Sequence, residues 1–98
     1  MDFDKIPENY RVDIKNAADF LKQKGCQAVF LFGSMVTGRI HEDSDINIGI
    51  MGLPPKKFFR VYAELDDVVS NEIDLVDFDS CKDLYNLLDS FGEVVKVG

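Results

Sequence analysis

Apolar positions along the chain change period several times, and each change predicts an element. Tyr10, Ile14, Ala17 and Leu21 recur at i, i+4, i+7 and i+11, which predicts an amphipathic helix over residues 6–24. Pro7 and Glu8 suit its first turn, Lys22 and Lys24 its last, and Gly25 a left-handed cap. Residues 28–32 are continuously apolar and end at Gly33, the pattern of a central strand covered on both faces. A polar turn region follows over 33–44. Residues 45–51 then alternate, with Ile46, Ile48 and Ile50 on one face and Asp45, Asn47, Gly49 and Met51 on the other.

After Gly52 and the Pro54-Pro55 break, Phe58, Tyr62, Leu65 and Val69 predict a second long helix. Its charges oppose its dipole: Lys56, Lys57 and Arg60 crowd the positive start while Asp66 and Asp67 sit near the negative end. Either an anion sits near that start or the charges form a solvated face. Residues 72–78 return to extended character, with Ile73 and Leu75 on one face and Glu72, Asp74, Val76 and Phe78 on the other. Ser80 and Asp83 make a capping-box pattern for a last helix, whose stripe is Leu84, Leu87, Leu88 and Phe91 and whose end is Gly92. Val94, Val95 and Val97 form a closing strand, with Lys96 protecting its edge. Tyr10, Tyr62 and Tyr85 fall on or near helix stripes and are expected in the core.

At 98 residues the expectation is one domain, residues 1–98. Eighteen acidic against eleven basic residues give a net charge of -7, which opposes general nucleic-acid binding and adhesion to anionic lipid. No stretch reaches the ~20 apolar residues that span a bilayer, and the N-terminal residues lack a signal-peptide pattern, so a cytoplasmic location is expected. Cys26 and Cys81 lack CxxC spacing and are expected to be buried or semi-buried thiols rather than metal ligands or a disulfide.

The chemistry concentrates between residues 33 and 74. Gly33 ends a buried strand and permits close backbone approach, and Ser34 adds a hydroxyl where a turn presents free amides, so the corner can hold a phosphate. Asp45 and Asn47, two apart, share a strand face, and Asp74 occupies a comparable position on a third strand. Three oxygen-bearing side chains on adjacent strands can hold Mg²⁺ (or Mn²⁺), which prefers carboxylates, waters and substrate phosphates.

With Gly33-Ser34, a ten-residue interval, Asp45-Ile46-Asn47 and the later Ile73-Asp74-Leu75-Val76, the chain resembles the minimal nucleotidyltransferases of the DNA polymerase beta superfamily. The resemblance covers essentially the whole chain. It implies an α/β (α+β) fold, a small mixed sheet flanked by helices. It also implies catalytic and metal-binding roles for Asp45, Asn47 and Asp74, and nucleotide binding by Gly33, Ser34, Gly38 and Arg39. Where proteins with this pattern carry a second aspartate that helps bridge two metal ions, this chain has Asn47, a neutral ligand, so the second metal is expected to bind less well. Asp43 is a candidate replacement carboxylate. The family's common arginine before the second glycine is Thr37 here, which leaves Arg39, Lys56, Lys57 and Arg60 as cations for a triphosphate. His41, the single histidine, lies in a charged turn and is expected to be solvated.

Two functions fit the resemblance. One is an enzyme that moves a nucleoside monophosphate from a nucleoside triphosphate to an acceptor. The other is an antitoxin-like protein-interaction module with weakened catalysis, whose partner is a small helical HEPN-type protein. A purely structural α/β domain is the third reading.

Overall fold

A computed structural model describes residues 3–40 and 44–98. His41 and Asp43, and the roles considered for them, lie outside the described residues. The elements are α1 (Glu8–Gln23), β1 (Ala28–Phe32), α2 (Ser34–Thr37), β2 (Ile46–Met51), α3 (Phe58–Leu65), β3 (Ile73–Asp77), α4 (Lys82–Ser90) and β4 (Val94–Lys96), with 3₁₀ turns at Phe3–Lys5 and Pro55–Lys57. The four strands form one mixed sheet in the order β3-β2-β1-β4. β1 runs antiparallel to β2 and β4, whereas β2 and β3 are parallel. A parallel pair needs a crossover, and α3 lies within it. The fold is thus α+β, a mixed sheet flanked by helices.

Register sorts the side chains onto two faces. Val29, Leu31, Ile46, Ile48, Ile50, Ile73 and Leu75 face α1 and α3, where Tyr10, Ile14, Ala17, Leu21, Val61 and Leu65 complete the buried core. The opposite face carries Phe30, Phe32, Asn47, Gly49, Asp74 and Val76. Phe78, fully buried, packs on Phe30, Phe32 and Tyr85 with ring centroids 5.3–5.8 Å apart. Gly49 makes room for it, because a Cβ there would collide with the Phe78 ring. The face therefore divides into an aromatic half and an open polar half at Asn47 and Asp74.

Several expectations need correction. Pro7 is the N-cap of α1 rather than part of its first turn. The polar turn region contains the four-residue α2. The second helix is short: α3 ends at Leu65, and Val69 lies beyond it. Tight turns follow α3 at Asp67 and Val68, and then Asp13 of α1, 2% exposed, accepts bonds from the amides of Ser70 (2.9 and 3.0 Å) and Asn71 (2.6 Å) and from Asn71 Nδ2 (2.8 Å). Those bonds fix residues 70 and 71 on α1 just ahead of β3, which starts at Ile73.

At α4 the N-cap is Cys81, and no capping box forms. The Ser80 hydroxyl donates instead to Asp77 Oδ2 (3.2 Å), and the Asp79 amide donates to Asp77 Oδ1 (3.0 Å). α4 buries none of its residues fully. Its stripe is largely solvent-facing, with Leu84 36%, Leu87 54% and Phe91 67% exposed. Cys26 is buried as expected, but Cys81 is exposed, and both are free thiols. Tyr10 is buried, while Tyr62 and Tyr85 are half-buried against their neighbours.

The β3 edge is shielded over part of its length. The Tyr62 hydroxyl donates to the Ile73 carbonyl (2.9 Å), and the Ser80 and Cys81 amides donate to the Asp77 carbonyl (3.2 and 3.1 Å). These contacts occupy outward-facing acceptors that a foreign strand would need.

Candidate functional site

The topology brings the residues singled out above to one end of the sheet. β1 ends where β2, its antiparallel partner, begins, and β3 begins beside β2. Phe32 pairs with Asn47, so Gly33, the next residue, lies against the Asn47 side chain. A Cβ at Gly33 would collide with the Asn47 amide nitrogen and come within 3.4 Å of its Cγ. Gly33 also has φ +79 and ψ -143, a conformation that L-residues rarely adopt. Glycine is therefore required here by the turn, and a side chain would also displace the rotatable Asn47 amide.

Gly33 is the N-cap of α2. Its carbonyl accepts bonds from the Val36 and Thr37 amides (3.0 and 3.1 Å). Ser34 is the first helical residue rather than the cap, and the first amides of a helix have no partner within it. Gly38 closes the turn at φ +84, its amide donating to the Ser34 carbonyl (2.9 Å), and Arg39 follows, exposed. The corner has the form expected of a phosphate cradle: a strand end, a glycine, a hydroxyl and helix-start amides.

Asn47 pairs directly with Asp74 across the parallel β2 and β3. Asp45 immediately precedes β2 rather than lying within it, and it falls on the face of Asn47 because it is two residues away. The Ile46 amide donates to the Glu72 carbonyl (3.0 Å), which fixes the start of β2 against the approach to β3. Asp45 and Asp74 are exposed and Asn47 is half-buried. The row thus offers two carboxylates and one amide, and among the described residues no three His, Cys, Asp or Glu side chains come together. This donor set fits a hard divalent cation, since carboxylate and amide oxygens both serve as its ligands.

Not every candidate joins this end. Lys56, Lys57 and Arg60 follow the far end of β2, which spans about 20 Å over its six residues. Lys57 and Arg60 line a cleft with Lys24 from the end of α1, where the Gln27 amide bonds the Met51 carbonyl (2.8 Å). They lie away from a triphosphate held at Gly33, which leaves Arg39 of these four as the candidate cation beside the corner, where Lys5 also lines a cavity with Thr37 and Gly38.

One residue that supports the site escaped the sequence pattern. Asp13 ties α1 to residues 70 and 71, just ahead of Asp74. Its signal was a carboxylate three residues after Tyr10, on the apolar side of an amphipathic helix.

Comparison with known proteins gives the family and the fold. Residues 15–91 match the family model "Polymerase beta, Nucleotidyltransferase". A crystal structure of a toxin–antitoxin with AMP-PNP shares the fold at a TM-score of 0.68 and 23% identity, covering 86% of this chain and 70% of that one. A crystal structure of a toxin–antitoxin MntA-HpeT mutant aligns at a TM-score of 0.52 and 27% identity, over 63% of this chain and 54% of that one. No curated protein matches in sequence. No helix among the described residues is long and apolar enough to cross a membrane. The chain, matched over most of its length and carrying its Gly-Ser corner and acidic row at one sheet end, belongs to the polymerase beta nucleotidyltransferase family.

Proposed function

We propose that residues 1–98 act as one nucleotidyltransferase domain that binds a metal–nucleoside triphosphate and transfers the nucleoside monophosphate to a partner protein or another acceptor. The observation that carries this reading is the juxtaposition of the Gly33-Ser34 corner with the Asn47–Asp74 pair. Gly33, Ser34 and Gly38 present backbone amides and a hydroxyl to phosphate oxygens, and Arg39 adds a cation. Asp45 and Asp74 are the carboxylate ligands for Mg²⁺ or Mn²⁺, with Asn47 as a neutral third donor. The cation, when bound, supplies positive charge against the phosphate oxygens. In the reaction a bond forms between an acceptor oxygen and the α-phosphorus, the bond to the departing pyrophosphate breaks, and the acceptor proton passes to a carboxylate of the row or to water. The AMP-PNP of the similar toxin–antitoxin structure supports a nucleotide ligand, and its two-component nature supports a protein partner, for which a HEPN-type helical protein is the candidate.

A second reading has an observation of its own. Asn47 stands where a charged metal ligand would share two ions, and the apolar stripe of α4 is solvent-facing, a combination that suits a binding module with weakened transfer. A transfer assay with labelled nucleoside triphosphate, Mg²⁺ and a co-expressed helical partner separates the two. Label on the partner, lost in Asp45→Asn, supports the enzyme. Tight partner binding without label supports the module.

A further inference from the structure

The end of the sheet away from Asp45 and Asp74 gathers positive charge on a strongly acidic chain. Lys22, Lys24, Lys56, Lys57 and Arg60 all lie near it, five of the eleven basic residues. Three of them converge from two helices: Lys24 from the end of α1, with Lys57 and Arg60 from the start of α3. Together with Val61 and Glu64 they line a cleft of about 190 Å³.

Glu64 accounts for only part of this charge. It pairs with Lys24 Nζ at 3.3 Å and with Arg60 Nε at 3.8 Å, while Lys57 has no carboxylate partner among the described residues. The cleft keeps two net positive charges. The placement is also unfavourable for the helix, because the first turn of α3 carries no acid to offset its cations. An anion in the cleft removes both penalties. The volume suits one or two tetrahedral groups rather than an extended chain, and the overall charge of -7 disfavours a polyanion.

We propose that this cleft is a phosphate-recognition site, distinct from the Gly33 corner, that takes the phosphoryl group of a free phosphate or of a nucleoside phosphate. The roughly 20 Å length of β2 separates the two, so one nucleotide cannot fill both. The proposal does not depend on nucleotidyl transfer.

The test is a titration with inorganic pyrophosphate, and separately with ADP, in EDTA, followed by backbone amide NMR shifts. The expected result is saturable shifts at residues 57–61. They should weaken at least tenfold in the Lys57→Gln/Arg60→Gln double variant and strengthen severalfold in Glu64→Gln, which removes the competing anion. Equal responses to the two probes assign recognition to the phosphoryl group alone, and a stronger response to ADP assigns the site to nucleotides. Absence of shifts at residues 57–61, or shifts there that neither variant changes, overturns the proposal.

Discussion

The two ends of the sheet are built from the same strands but treat polar groups in different ways. At the Gly33 end, acceptors dominate. Asp45, Asn47 and Asp74 share one face, and the buried Asp13 holds the approach to β3 by accepting four hydrogen bonds. At the Met51 end cations are gathered beside acids, with Asp77 opposite Ile50 and Asp79 accepting from the Gly52 amide (2.7 Å). Lys22 Nζ donates to the Gln27 carbonyl (2.9 Å), Lys24 and Arg60 share Glu64, and Lys57 has no carboxylate partner among the described residues. The net charge of -7 hides this difference. An acidic chain can present one end to a metal–nucleotide and the other to an anion, because charge acts over about a Debye length of 10 Å while β2 spans about twice that.

The largest expected effect breaks the support of the acidic end. Asp13→Ala leaves the Ser70 and Asn71 amides without their buried acceptor, and unfolding in urea should show a loss of about 2 to 4 kcal/mol. The same variant should weaken metal–nucleotide binding while leaving pyrophosphate shifts at residues 57–61 in place. Gly33→Ala is expected to cost about 1 to 3 kcal/mol from backbone strain, with the Asn47 amide pushed aside. Its selective signature is displacement of the Asn47 side-chain amide resonances.

The buried Cys26 sharpens the comparison from the basic end. Burial, with the Asp77 carboxylate adding to it and Lys22 opposing, pushes its thiol up from 9.0 to about 11. The folded state holds the thiol proton more tightly than the unfolded state. The stabilisation is therefore complete below about pH 9 and is lost as pH rises toward 11, by about 2 to 3 kcal/mol. Unfolding free energies of the natural chain and Cys26→Ala, compared between pH 8 and 11, should converge by that amount. Exposed Cys81 should react with a thiol reagent in the native state, and Cys26 only on unfolding.

How much of this was legible in the sequence depends on whether the deciding contact is local. The apolar run ending at Gly33 and the alternation of Ile46, Ile48 and Ile50 gave their strands directly, since each depends only on neighbours in sequence. The path from α3 to β3 was not legible, because the acceptor that holds Ser70 lies 57 residues away in α1. The periodicity of α4 told which side is apolar but not that little would cover it. Likewise, the Ser80–Asp83 pattern could not show that Asp77 would take the Ser80 hydroxyl. For the site, spacing selected Gly33, Asp45, Asn47 and Asp74, and the parallel register of β2 and β3 was needed to make Asn47 and Asp74 neighbours. It was the same topology that removed Lys56, Lys57 and Arg60 from the triphosphate end.

The smallest effect concerns the residue where the acidic end is weakest. Asn47→Asp adds a charge beside Asp74 at nearly constant volume and should tighten Mn²⁺ binding about tenfold, or about 1.4 kcal/mol, as read by calorimetry. The added charge should leave the basic cleft unchanged. A variant that binds Mn²⁺ no better would mean that the amide already serves as well as a carboxylate.

The most direct measurement is calorimetry of ATP binding to the natural chain and to Asp45→Asn, each with Mg²⁺ and with EDTA. Binding to the natural chain should require Mg²⁺, and Asp45→Asn should weaken it at least tenfold while the protein stays folded. Equal affinity with and without Mg²⁺, or an Asp45→Asn variant that binds as the natural chain does, would contradict a metal–nucleotide site at this end of the sheet.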